Sequence, residues 1–167
     1  KKEKHKKSKV QMEKGDGAAA GAAAATRHPF ADDGVPEGVP EVDALFDAIR
    51  DGHKDVVSNL LNDHPELVNV RYCGENPLIV ASRSGNTEIV LLLLDRHADV
   101  NARNIQRRST PLMEAARMGH SHVVRQLLAS GANIWATDRL GWDAAGLAAI
   151  HGSHIALHEE LMSIMRR

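Results

Sequence analysis

The residue types with the most chemistry to offer in this chain of 167 residues are histidine, cysteine and arginine. Ten histidines are present, and two groups are dense: His120 with His122, and His151, His154 and His158. Zinc wants three or four nitrogen or sulfur ligands in tetrahedral geometry. Here His151 ends one helix, His154 lies in a turn and His158 sits on the next helix, so the rings need not converge, and no cysteine is near. No metal and no other cofactor is therefore expected. The single cysteine, Cys73, excludes an intrachain disulfide and fits a reducing compartment. Nothing in its sequence surroundings lowers its pKa or supplies a base. A phosphate-cradling glycine loop, a His-Glu-x-x-His pair and a nucleophile elbow are all missing, so no catalysis is expected.

Arginine is more informative. Arg50, Arg83 and Arg117 each stand two residues before a glycine, and Ile150 takes the fourth such place. Guanidinium groups suit bidentate contacts to carboxylates or phosphates. Asp47 and Glu114 precede Arg50 and Arg117 by three residues, a spacing that favours weak pairs on one helix and would make these arginines simply solvated faces. Arg83 has no partner in that window. Trp135 and Trp142 form a second candidate together with Met118, Leu140 and Ile150, because aromatics of this kind anchor interfaces. Alternatively, Trp142 packs over the end of the fold. A methyl-lysine cage is not expected, since Phe30, Phe46 and Tyr72 lie scattered along the chain.

The elements that position these residues are repeated. Gly52, Gly85, Gly119 and Gly152 recur at intervals of 33, 34 and 33 residues, each between two apolar helix-like segments. A unit of this length cannot bury its own apolar face, so it stacks on its neighbours and leaves an extended outer surface. Aligned on the glycines, the clearest copies run Asn76-Pro-Leu-Ile-Val-Ala-Ser-Arg-Ser-Gly85 and Thr110-Pro-Leu-Met-Glu-Ala-Ala-Arg-Met-Gly119. Each is followed by an apolar helix and then by Ala98-Asp-Val-Asn-Ala102 or Ala132-Asn-Ile-Trp-Ala136. These residues resemble the ankyrin repeat family, whose motif is Thr-Pro-Leu-His-x-Ala-Ala-x-x-Gly-His. The resemblance covers four units over roughly residues 42 to 164.

It implies an all-α solenoid of stacked helix-turn-helix units with hairpin fingers, in units of about 42–73, 74–106, 107–139 and 140–164. Pro77 and Pro111 start first helices, with Thr110 as a cap. Ala48, Ala81, Ala115, Ala116, Ala148 and Ala149 let those helices approach. Leu60, Leu61, Leu93, Leu94, Leu127, Leu128 and Leu161 fill the space between units. His53 and His120 belong in the turns. The departures are specific. Phe46, Ile79, Met113 and Gly146 replace the family's histidine in the first helix, removing its hydrogen bond to the turn. Asn104-Ile-Gln-Arg-Arg-Ser109 has one residue more than the usual hairpin and lacks its glycine, which predicts a longer or distorted finger. Glu160 falls where other units have Leu60, Leu93 and Leu127, as suits a last helix facing water, with Leu161, Ile164 and Met165 covering the remaining apolar surface.

In such stacks the fingertips and the exposed sides of the first helices form a concave face. There Arg50, Arg83 and Arg117 would line up in register, flanked by Arg71, Arg103, Arg107, Arg108 and Arg139. The expected role is a non-catalytic adaptor, scaffold or regulatory subunit. It would hold a partner segment, acidic or phosphorylated, on that face, with no small-molecule substrate.

Residues 1–41 read as a tail and linker. The first fourteen carry seven lysines against Glu3 and Glu13, a net charge of +5, which suits a polyanion contact, a nuclear localisation signal or a solubilising tail. The other residues hold 14 basic and 20 acidic groups, a net charge of −6. Nucleic-acid association through the tail, or a structural place in a large assembly, are the alternatives. The longest apolar run, Ile89–Leu94, falls far short of the ~20 residues a membrane span requires. No signal peptide or membrane insertion is expected, and the location is expected to be cytoplasmic, nuclear or both.

Overall fold

A computed structural model describes residues 39–150 and 154–167. The lysine-rich segment with its expected polyanion contact, Phe30, His151 and Gly152 lie outside the described residues. Within them the chain forms α1 (Pro40–Asp51), α2 (Lys54–Asp63), α3 (Pro77–Ser84), α4 (Thr87–Asp95), α5 (Pro111–Met118), α6 (Ser121–Ala129), α7 (Ala144–Ile150) and α8 (Ile155–Met165). A short 3-10 turn, Pro65–Asn69, follows α2 and buries Leu67. The first helices α1, α3, α5 and α7 pack side by side in one layer, and α2, α4 and α6 form the second. Pro40 and Glu41, read from sequence as the last residues of the linker, are instead the first two of α1, where the missing N–H of Pro40 costs nothing.

Three of the first helices are capped by side chains. Asn76 Oδ1 accepts the Ile79 N–H at 2.9 Å, Thr110 Oγ1 accepts the Met113 N–H at 3.3 Å, and Asp143 Oδ1 accepts the Gly146 N–H at 2.7 Å. The third unit also recovers what the sequence led us to think was lost. Met113 Sδ accepts the Thr110 N–H at 3.4 Å, so a thioether stands in for the family's imidazole.

Ala48, Ala81, Ala115, Ala116 and Ala148 are buried between neighbouring first helices, as their size requires, whereas Ala149 is exposed and takes no part. Leu61, Leu93, Leu127 and Leu161 are fully buried, while Leu60, Leu94 and Leu128 are half-buried against them. The reading of Glu160 requires correction. The residue before each second helix is His53, Asn86, His120 or His154, and measured from there Leu161, not Glu160, matches Leu93 and Leu127. Between the cap of α7, Asp143, and His154 the chain has one residue more than between Asn76 and Asn86 or Thr110 and His120, which an alignment on glycines hides. Glu160 instead points sideways to α6 and receives a two-pronged contact from Arg125, at 2.8 and 3.0 Å. That hydrogen bond, more than the opposite charge, holds its carboxyl below the usual range.

The turn between helices sets the spacing of the units. Gly85 and Gly119 cap α3 and α5 in the left-handed region, with φ 76° at both. The ring of the next unit lies against each of them. A Cβ on Gly85 would sit 2.6 Å from the His120 ring, and one on Gly119 would sit 2.1 Å from the His154 ring. His120 Nε2 also hydrogen-bonds the Arg83 carbonyl at 3.0 Å, and Asn86 Nδ2 does the same to the Ile49 carbonyl at 2.9 Å. Both the left-handed backbone and the ring forbid a side chain here, so Gly85→Ala is expected to destabilise the fold by about 1–3 kcal/mol in chemical denaturation. Gly131→Ala shares the positive φ, but a Cβ there meets nothing within 4 Å, so it should cost clearly less.

Candidate functional site

Stacking brings Arg50, Arg83 and Arg117 into the last turns of α1, α3 and α5. They are not bare charges. Arg50 pairs with Asp47 at 3.0 Å and lies 5.9 Å from the Phe46 ring centre, an exposed cation–π contact. Arg117 Nη2 donates to Glu114 Oε2 at 2.6 Å. Arg83, which lacks a partner in the helical window, has two beyond it: Nη2 donates to Glu75 in its own finger, and Nε donates to Glu114 of the next unit at 3.3 Å. Burial alone would lower the pKa of this guanidinium, but the hydrogen bond and charge of Glu75, together with Glu114, outweigh it and hold the group above the ordinary arginine value. Sequence reading missed these contacts because the partners are eight and 31 residues away. One signal was available: Glu114 occupies a place where the neighbouring units carry Val80 and Leu147.

The fingers are tied to one another at their tips. They close through Tyr72 with Glu75, Asn104 with Ser109, and Asp138 with Trp142. The second is the longer one expected, and Arg108 takes the left-handed backbone (φ 58°) that Gly141 supplies in the third. The Ile105 N–H donates to the Gly74 carbonyl at 2.9 Å, and Gln106 Nε2 donates to the Cys73 carbonyl at 2.7 Å. Arg103 Nη1 donates to the Thr137 carbonyl at 3.0 Å, and Arg139 Nη2 to the Ile105 carbonyl at 3.3 Å. Two of the flanking arginines thus bridge fingers, whereas Arg71, Arg107 and Arg108 are exposed.

The apolar candidates divide. Trp142, Leu140 and Ile150 line a hollow of about 480 Å³, open to solvent, together with Leu147, Gln106, Arg107, Arg117, Asp138 and Arg139. Neither Trp135 nor Met118 is among its lining residues, although both are exposed. Trp142 rests on Gly146, where a Cβ would come within 2.8 Å of the indole, so the glycine at the family's histidine position makes room for this ring. Trp135 stands in the loop after α6. The matching residues Asn69 and Asn101 each reach the next unit's loop: Asn69 to the Asp99 N–H and His97 carbonyl, Asn101 to the Asn133 N–H and Gly131 carbonyl. Trp135 ends that ladder.

Three of the histidines serve the fold. His120 and His154 lie on the glycines described above, and His158 Nδ1 hydrogen-bonds the Ala145 carbonyl at 2.9 Å. Among the described residues no three of His, Cys, Asp and Glu converge in a way that could hold a metal ion. No described helix is long and apolar enough to cross a membrane.

At the other end of the groove Tyr72 packs on Phe46, with ring centres 5.2 Å apart. Its hydrogen bond with Asp43, then burial, pushes its phenol up to about 12. A folded value above the unfolded one, about 10, means that the native contribution is complete below pH ~10 and is lost as pH rises through 12. As this is the chain's one tyrosine, its phenolate absorbance should titrate near 12, and Asp43→Asn should return the midpoint toward about 10. Glu114, almost wholly buried between two half-buried arginines, should be costly to remove. Glu114→Ala is expected to lose about 1–3 kcal/mol in a denaturant titration, more than Asp47→Ala, whose pair is exposed.

Helix pairs stacked in register, with fingers projecting along one edge and an open groove rather than an enclosed cavity, define a repeat protein of the binding class. A family model described as ankyrin repeats (3 copies) matches residues 32–104, a single ankyrin repeat model matches residues 107–139, and the chain belongs to the ankyrin repeat family. It is similar to a probable E3 ubiquitin-protein ligase, XBOS32, of Oryza sativa subsp. japonica, at 40% identity over 65% of this chain and 22% of that protein. The E3 ubiquitin-protein ligase XBAT33 of Arabidopsis thaliana is 40% identical over 65% of this chain and 21% of its own length. The ankyrin repeat and SAM domain-containing protein 6 of Rattus norvegicus is 31% identical over 64% of this chain and 12% of its own length. The chain therefore matches less than a quarter of the length of these relatives. Ankyrin repeats mediate protein–protein binding, and that coarse function holds for this chain.

Proposed function

We propose that the chain is a non-catalytic recognition module, an adaptor or scaffold element, that holds a segment of a partner protein on its concave face. The principal contact is the hollow between the second and third fingers and the last turns of α5 and α7. The observation that carries this reading is the exposure of Trp142, Leu140 and Ile150 around one concavity beside arginines, while the rest of the column is neutralised by its own carboxylates. Aromatic and aliphatic side chains clustered in a concavity are what partner anchors bind, and a polar rim sets orientation. Two of the relatives are named ubiquitin ligases, which is consistent with this kind of segment serving as the recognition part of a longer protein.

The test is affinity capture from cell lysate with the full chain, its Trp142→Ala/Ile150→Ser version, and Val56→Ser on α2 as a control for an exposed apolar residue elsewhere. Partners should be retained by the control and weakened at least about tenfold in the double variant, the loss typical of truncated interface anchors. Equal retention by all three would place binding on another face.

A further inference from the structure

Arg83 and Arg117 stand at the same place in successive units, yet only Arg83 is matched on both sides. It takes Glu75 from its own finger and Glu114 from the next unit. Counted from each unit's glycine, the places of Glu75 and Glu114 become Ser109 and Leu147 one unit further on. Among the described residues Arg117 has Glu114 alone as its hydrogen-bond partner, through Nη2, and its Nε is buried with no acceptor. A buried guanidinium donor without an acceptor is unusual, because such groups lose their water without recovering its hydrogen bonds. The same side chain, one-fifth exposed at 20%, lines the hollow together with Leu147, Trp142 and Ile150.

We propose that the partner supplies a further acceptor to this guanidinium: a carboxylate, carried beside an aliphatic side chain, that lies against the exposed part of Arg117 on the hollow and extends the alternation of Glu75, Arg83, Glu114 and Arg117 by one more anion. This rests on the hollow being the partner site. The four charges of that series cancel, so attraction at range comes from Arg107 and Arg139, which outnumber Asp138 in the lining. Asp138 competes poorly, because its Oδ1 already accepts the Leu140 and Trp142 N–H groups at 2.8 and 2.9 Å. Arg117 then gives direction, since a fork of donors accepts a planar carboxylate in few orientations. The aliphatic neighbour follows from the wall that Trp142 and Ile150 present on the same hollow.

The experiment titrates N-acetyl-leucine, which carries both groups, and N-acetyl-leucinamide, which lacks the charge, into the isotope-labelled full chain. The Arg117 Nε–H and Trp142 indole signals are followed by NMR. The acid should shift both, and the amide should bind about tenfold more weakly, the difference made by one charge-assisted hydrogen bond. Leu147→Glu, which places a carboxylate inside the chain where Glu114 stands for Arg83, should abolish the shift at Arg117, and Val56→Glu, which adds the same charge on the exposed face of α2, should keep it. Arg117→Lys, which retains charge without the fork and leaves the core intact, should lose most of the difference between acid and amide. Equal binding of acid and amide with Arg117 unmoved would keep the hollow as an apolar site and overturn the carboxylate. No response at either signal would overturn both readings. Inorganic phosphate shifting Arg117 at lower concentration than the acid would assign a phosphoryl group and likewise overturn it.

Discussion

The contact on which the rest depends is the seating of one unit's turn residue on the glycine of the unit before it. Asn86 lies against Gly52, His120 against Gly85 and His154 against Gly119. Asn86 and His120 also take a backbone carbonyl at the end of the preceding first helix, those of Ile49 and Arg83. This fixes distance and register together: a ring that must touch a backbone without a Cβ and reach one particular carbonyl leaves little freedom in how the helices slide. Apolar packing of Leu, Val and Ala supplies the driving force but is far less particular about register. With register set, the arginines and glutamates of neighbouring units meet at hydrogen-bond distance rather than merely on the same face.

That meeting changes the character of the concave surface. Three arginines in a column suggest a positive groove, but Asp47, Glu75 and Glu114 sit among them and take up most of the charge. Arg117, with a buried Nε that has no acceptor, stands at the end where an indole, an isoleucine and a leucine line the hollow. The groove is therefore polarised along its length: a closed polar network at the first units and an open, amphipathic hollow at the last.

Much of the fold was legible because its signals are local and repeated. A glycine every 33 or 34 residues, prolines at helix starts and alanines at the close approach of helices each report a backbone requirement that does not depend on distant residues. The long second finger was legible for the same reason, one extra residue being a count. Four features were not: the pairing of Arg83 with Glu75 and Glu114, the sulfur of Met113 taking over a turn hydrogen bond, the 3-10 turn after α2, and the extra residue between Asp143 and His154 that moves Leu161 into the leucine column. Each depends on a partner in another element or on an alignment reference that only the backbone provides.

Of the candidate site, residue types and the column of Arg50, Arg83 and Arg117 could be read from spacing, as could the presence of two large aromatics near the end of the chain. The sequence by itself thus determined the family, the stacking and the set of side chains available to a partner, because periodic glycines and small residues encode short-range geometry. Only the tertiary structure decided which of those side chains are spent and which are left over. It joined Trp142 to Leu140, Ile150 and Arg117 in one hollow and left Trp135 out of it. It also closed the charges of Arg83 while leaving a donor of Arg117 without an acceptor. The physical reason is that charge satisfaction and concavity arise between units, across more than thirty residues of chain, and spacing within a unit carries no information about them.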